Sequence, residues 1–298
     1  MSPLGAKRSG TLGSPGRLSG AMRLTKHHGF GNDFLVLLDG DTSHPLDGDV
    51  SRALCDRRTG VGADGLIRAT RLDRPADPAA GGDAVAAMEL RNADGSRAET
   101  SGNGIRCLAQ ALILAGWADG PTIPVHTDAG RRVVTLHDRS DALTYTLSVE
   151  MGVARITGEA AEWTGGPIRR SLRVDVGNPH LVLDAGSRDD EVDLVELGES
   201  VNAKVPGGAN VHLLSGETDD RVAIRSYERG VGPTLACGTG ACAAAVAARA
   251  WGIVGDQVAV DQAGGTADVT VGGDGAVVLR GPATWVATFE LPEGWPWR

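Results

Sequence analysis

Ser101-Gly102-Asn103-Gly104-Ile105-Arg106-Cys107-Leu108-Ala109 returns in altered form as Cys237-Gly238-Thr239-Gly240-Ala241-Cys242-Ala243-Ala244-Ala245. Each copy sets a small polar side chain before a Gly-x-Gly turn that opens onto an Ala-rich helical run. The same offset carries Asn92 onto Glu228, and each of these closes a strand-like segment. A strand, loop and helix repeated in this order predicts two pseudo-symmetric halves with a site between them. Two opposed groups facing one carbon is the layout that a two-base racemase or epimerase needs. Here one group is the Cys237 thiol and the other the Ser101 hydroxyl.

A Gly-x-Gly turn that opens a helix exposes unpaired backbone N–H groups at the positive end of the helix dipole. Such a turn holds a carboxylate or phosphate. Two of them together grip one α-carboxylate and disperse the negative charge that develops when an α-proton leaves. Asn103 and Thr239 add side-chain polarity at equivalent places. A helix N-terminus lowers a thiol's pKa, so Cys237 is expected to be a thiolate base. A serine hydroxyl is a far weaker acid, so Ser101 is read as a hydrogen-bond donor, a proton relay or a helix cap. Polar residues on loops surround the pair in sequence: Asn32, Asn92, Asn178, His180, Asn210, Glu228 and Arg229. Arg suits a carboxylate, Glu an ammonium and Asn either, so the set reads as an amino-acid site.

Composition narrows the partners. The 298 residues, 41% of them hydrophobic, suffice for two domains with cores of their own. Aromatics make up only 4%, while glycines number 43, so close helix packing and tight turns matter more than aromatic clusters. A formal charge of −9 disfavours nucleic acid. No apolar run approaches the ~20 residues that span a bilayer. The stretch 1–21 has no signal-like hydrophobic segment and is expected to be a disordered extension, with Met22 as a candidate start and the cytoplasm as the location. The four cysteines show no metal-binding spacing. Cys55, Cys107 and Cys242 are expected to be buried fillers.

Along the chain, a loop at Gly29–Asp33 precedes a strand from Phe34 to Asp39, a helix from Val50 to Arg57 and a strand from Gly65 to Ala69. A variable loop is expected over 71–82, then a strand from Ala84 to Arg91 and a helix from Asn103 to Ala115, stopped by Gly116. The second half repeats this plan with strands at Leu172–Val176, 178–183, Ala209–Leu214 and Arg221–Tyr227, then a helix from Gly240 to Trp251. That helix has Arg249 as its single charge, so it should be buried inside a curved sheet. Gly60-Val61-Gly62-Ala63-Asp64-Gly65 satisfies a dinucleotide-type GxGxxG pattern, but a helix enters it and a strand leaves, the reverse of the order that motif requires.

The sequence resembles the diaminopimelate epimerase family from Met22 to the C-terminus. The resemblance rests on the runs His28–Phe34, Asp56–Asp64, Arg91–Ser96, Gly102–Cys107, Gly177–His180 and Tyr227–Gly232, the last leading into Leu235–Cys242. It implies an α/β (α+β) fold of two pseudo-symmetric domains, each a curved, mostly antiparallel sheet wrapped around a central helix, with the active site in the cleft between them. The expected division is 22–140, completed by 283–298, and 141–282. The family implies cofactor-free interconversion of LL- and meso-diaminopimelate in lysine and cell-wall synthesis, and some of its members are homodimers. By position, Cys237 matches one catalytic base. Asn32, Asn92, Asn178, Asn210 and Arg229 match substrate-binding positions, together with Glu228 and the amides of Gly102, Asn103, Gly238 and Thr239. His180 and Glu228 match residues that support the catalytic cysteines.

The departure is Ser101, where the family has its other catalytic cysteine. The readings this leaves open are epimerisation of diaminopimelate, isomerisation, racemisation or dehydration of another amino acid on the same fold, and silent amino-acid binding.

Overall fold

The computed structural model describes residues 22–40, 42, 44, 46–72, 84–293 and 295. The expected extension over 1–21 and most of the expected loop over 71–82 lie outside these residues. The described chain is α+β, with strands in the majority.

Its first half runs β1 (Met22–Gly29), β2 (Asn32–Leu38), α1 (Gly48–Cys55), β3 (Gly65–Arg71), β4 (Ala86–Asn92), β5 (Arg97–Ala98), α2 (Gly102–Leu114), β6 (Thr122–Thr127), β7 (Gly130–Arg139), β8 (Thr144–Val153) and β9 (Arg155–Glu159). The second runs β10 (Arg170–Asp175), β11 (Pro179–Asp184), α3 (Leu194–Lys204), β12 (Asn210–Thr218), β13 (Arg221–Glu228), β14 (Gly232–Thr234), α4 (Gly238–Ala250), β15 (Gln257–Gln262), β16 (Gly265–Val271) and β17 (Ala276–Leu291).

The pairing scheme of the first half recurs in the second. β1/β2 is antiparallel, β2/β3 parallel, β3/β4 antiparallel and β4/β6 parallel, and β6/β7 and β7/β8 are antiparallel. In the same order, β10/β11 is antiparallel, β11/β12 parallel, β12/β13 antiparallel and β13/β15 parallel, and β15/β16 and β16/β17 are antiparallel. The long strand β17 pairs with β16 over its first part and with β1 from Thr284 to Leu291. In the matching place, β9 pairs with β10.

α2 and α4 occupy the interior. Every residue of α4 from Gly238 to Ala248 is buried, as its nearly uncharged sequence requires. α2 is buried from Gly102 to Leu112. Both helices end the same way. Gly116 and Gly252 take positive φ, and Trp117 and Ile253 donate back to the carbonyls of Leu112 and Ala248.

Two readings from sequence change. The expected loop at Gly29–Asp33 is a tight hairpin: β1 reaches Gly29, β2 starts at Asn32, and Phe30 and Gly31 alone turn the chain, both at positive φ. Helix α3 was not anticipated, although Asp193 caps it by accepting from the amides of Val195 and Glu196.

Candidate active site

The topology brings chosen strand ends to one place. Parallel β2 and β3 start together, at Asn32 and beside Asp64, while antiparallel β4 ends there at Asn92. The repeat brings Asn178, just before β11, Asn210 at the start of β12 and Glu228 at the end of β13. Between these sets stand the N-termini of α2 and α4. The result is a cavity of 310 Å³ lined by Asn32, Asn92, Ser101, Gly102, Asn178, Asn210, Glu228, Arg229, Cys237, Gly238 and Thr239 among others.

The two helix starts abut. A β-carbon built on Gly238 would lie 3.0 Å from the Gly102 Cα and 3.1 Å from the Asn103 nitrogen. One built on Gly102 would lie 2.5 Å from the Leu279 side chain. Only glycine lets the two turns approach so closely. Ser101 and Cys237 cap the two helices alike: the Ser101 Oγ accepts from the Gly104 amide at 3.0 Å, and the Cys237 Sγ from the Gly240 amide at 3.3 Å. The Ile105 and Ala241 amides are taken by the Ser101 and Cys237 carbonyls. The first two amides of each helix (Gly102 and Asn103, Gly238 and Thr239) have no acceptor within their helix.

Cys237 differs from its expected state. Burial drives its pKa well above the ordinary thiol value, and the Glu228 carboxyl beside it pushes in the same direction. The Thr239 hydroxyl and the Gly240 amide pull it down but do not prevail. The helix dipole is therefore outweighed, and burial favours the thiol form of Cys237. Glu228 is raised as well, mainly by burial, against hydrogen bonds from Thr234 and Cys237. The Thr234 hydroxyl donates to Glu228 Oε1 at 2.7 Å. A proton can thus pass between the Cys237 sulfur and the Glu228 carboxylate. The other three cysteines are buried fillers: burial pushes each up to about 12.

The asparagines have different amounts of hydrogen-bonding capacity left. Asn32 is committed at both ends, giving its amide to Asp64 at 2.9 Å and accepting from Asn103 at 3.1 Å. Asn210 gives to the Pro179 carbonyl and accepts from the Arg229 amide. Asn92 lines the cavity and donates to the Ser96 hydroxyl at 3.0 Å, which leaves its side-chain oxygen for a ligand. Asn178 accepts from His180, which leaves its amide nitrogen. The Arg229 guanidinium is anchored through Nη1 on the Gly207 carbonyl and lines the cavity.

Two residues expected at the site stand behind its wall. The Asn103 side chain is turned inward, held by Asn32, the Ala236 carbonyl and the buried Arg106. His180 is 2% exposed and reaches the cavity only through Asn178. Burial, and then the neighbouring His212 and Arg229, hold its pKa well below the usual imidazole range.

Asp64 was missed from sequence and lines the cavity. It accepts from Asn32, from the Asp33 amide at 3.1 Å and from Arg57 at 2.7 Å, while Arg57 also clamps Asp33 through two bonds. The signal was present in the dismissed glycine run: a carboxylate closes it at the mouth of a strand. Ser96 and Glu99 on loops and Thr234 at the end of β14 also line the cavity, and nothing in the sequence marked them beyond their polarity.

The family model of diaminopimelate epimerase matches residues 24–157 and 172–286. A diaminopimelate epimerase of Mycolicibacterium smegmatis is 40% identical over 92% of this chain and 98% of its own length. One from Mycolicibacterium paratuberculosis is 41% identical over the same shares. Among solved structures, a hydroxyproline epimerase from Agrobacterium vitis superposes with a TM-score of 0.70 at 18% identity, covering 94% of this chain and 95% of that one. A phenazine biosynthesis protein of the PhzF family from Bacillus anthracis gives 0.68 at 16% identity, covering 92% and 99%. These two share the fold. The abutting helix starts, the asparagine-lined cavity and relatives matched almost end to end lead to one conclusion: the chain belongs to the diaminopimelate epimerase family.

Proposed function

We propose that this chain interconverts LL- and meso-2,6-diaminopimelate by moving the α-proton, with no cofactor. The observation that carries the reading is the pair of abutting helix N-termini capped by Cys237 and Ser101. Four backbone amides converge there, enough to hold the reacting carboxylate and to stabilise the enolate-like charge as it forms. Cys237 passes its proton to Glu228 and takes the α-hydrogen as a proton. Ser101 donates its hydroxyl proton to the opposite face of the carbon. Its lone pair is already bound to the Gly104 amide, which steadies the oxygen as charge builds on it. One turnover leaves Glu228 protonated and Ser101 as an alkoxide, so the balance closes when Glu228 releases its proton to solvent and Ser101 takes one up; nothing is oxidised or reduced.

At the distal end, Arg229 and the free amide of Asn178 suit the non-reacting carboxylate, and the Asn92 carbonyl suits the distal ammonium. His180 acts on the distal end through Asn178, whose side-chain oxygen it holds. The sequence stretches 22–140 with 283–298, and 141–282, are read as the two domains that flank the site. The reaction belongs to the cytoplasm, where amino-acid precursors are made.

A diaminopimelate-requiring bacterial strain carrying this chain on a plasmid should grow without the supplement, and the C237A variant should not support growth. Growth that survives C237A, or no growth with soluble wild-type protein present, contradicts the reading. The serine at 101 favours a second reading, isomerisation of another amino acid. Under it, purified protein turns over a different α-amino acid and leaves diaminopimelate unchanged.

A further inference from the structure

Behind Asn178 in the cavity wall lies a chain of three buried groups, His180, His212 and Ser226, the last two of which have no part in the proposed reaction. Asn178 Oδ1 lies 2.7 Å from His180 Nε2, and His180 Nδ1 lies 2.9 Å from His212 Nε2. His212 Nδ1 in turn lies 2.8 Å from the Ser226 hydroxyl. His212 is fully buried and Ser226 is 4% exposed. The two imidazoles stack, with centroids 5.1 Å apart.

A neutral imidazole has one donor and one acceptor nitrogen, so hydrogen bonds through two of them must all run the same way. Two directions are possible in principle, and Ser226 selects between them. Its hydroxyl has His212 as its single hydrogen-bond partner among the described residues. A buried donor left unmade is costly, whereas a hydroxyl oxygen can leave a lone pair unused more cheaply. Ser226 therefore donates to His212 Nδ1. It follows that His212 Nε2 carries a proton and donates to His180 Nδ1. His180 Nε2 then carries a proton and donates to the Asn178 carbonyl.

The end of the chain faces the substrate. With Oδ1 held by His180, Asn178 has to present its NH₂ group to the cavity. In the reverse direction the amide would rotate and present oxygen, which repels a carboxylate. We infer that Ser226 and His212 are positioning residues that fix the tautomer of His180, and through it the amide face that Asn178 offers to the carboxylate of the ligand. The carboxylate itself rests on the proposed function. The direction of the chain does not, because it follows from the ligand-free structure.

Both imidazoles are kept uncharged, as this requires. Burial lowers His212 to about 3. Its ring is also pressed against the first turn of α4, where a β-carbon on Gly240 would come within 2.2 Å of His212 Cε1. The positive end of that helix opposes protonation of the ring.

The test is the ¹⁵N spectrum of the histidine side chains in the full-length, ligand-free protein. His180 and His212 should both appear as the neutral Nε2–H tautomer. An Nδ1–H tautomer or an imidazolium at either ring overturns the inference, whatever the substrate proves to be. H212M removes the donor to His180 and should leave that ring in averaged tautomers. It should raise KM for meso-diaminopimelate several-fold, with kcat within about twofold. H212Q should restore both, because its amide can accept from Ser226 and donate to His180. An unchanged His180 spectrum and KM in folded H212M would refute the inference. If H212M does not fold, the wild-type spectrum decides alone.

Discussion

Ser101 and Cys237 share a backbone position, a capping bond and a neighbouring glycine pair, and they differ by one atom. Their capping geometry is alike, while burial is deeper at Cys237, and acidity divides their chemistry further. A hydroxyl gives up its proton far less readily than a thiol, so the step at Ser101 should limit the rate. S101C should raise kcat for epimerisation at least ~10-fold with KM little changed, since ~1.4 kcal/mol off the barrier is tenfold in rate. S101A should abolish interconversion, and steady-state assays of both variants check this. The motifs singled out Cys237, Glu228 and four asparagines, Asn32, Asn92, Asn178 and Asn210, and all of these line the cavity. Single-residue chemistry was not legible where tertiary contacts decide. The acidity of Cys237 depends on burial that the sequence does not display, and Asp64 is held by Asn32 at the start of β2 and by Arg57 in its own loop.

At the scale of elements, α2 and α4 position the site because their first turns touch. The lack of polar residues on α4 revealed its burial from sequence alone, and Gly116 and Gly252 marked both helix ends. The hairpin at Phe30–Gly31 was hidden because a non-glycine residue, Phe30, takes positive φ there. It does so while packing beside Arg106, whose guanidinium lies 5.6 Å from the ring centroid. The price of close packing shows at Gly240. A methyl group there would run into the His212 ring, so G240A should lower stability by ~1–3 kcal/mol through overpacking. Urea unfolding measures it, and a change near zero would mean that His212 swings away without resistance.

For the whole molecule, the duplicated motif pointed to two like halves, and the expectation that 283–298 completes the first came from the family resemblance, since no local pattern displays the pairing of β17 with β1. Strand partners far apart in sequence leave no periodic trace. The fold also buries histidines away from the cavity. His27 is fully buried, giving its Nδ1 proton to Gln110 and accepting from Thr25. Burial, the leading cause, lowers it to about 4 against 6.5 when unfolded. Below pH 6.5 the unfolded chain gains a proton that the folded chain refuses. Its contribution to stability is thus complete above about pH 6.5 and is lost as pH falls towards 4. H27Q should flatten the dependence of unfolding free energy on pH in that window by up to ~1.4 kcal/mol per pH unit. Denaturant titrations at several pH values would detect this, and an unaltered slope would mean that His27 is protonated in the folded state.

The central claim is that one carbon is served from two faces by unlike groups. The direct measurement is α-hydrogen exchange in D₂O, followed by NMR, with LL- and meso-diaminopimelate supplied separately. The account predicts that each isomer yields the other with deuterium at the inverted centre. Deuterium entering without inversion would leave Cys237 working alone and contradict the role given to Ser101. No exchange from either isomer, with binding intact, would contradict the epimerase reading as a whole.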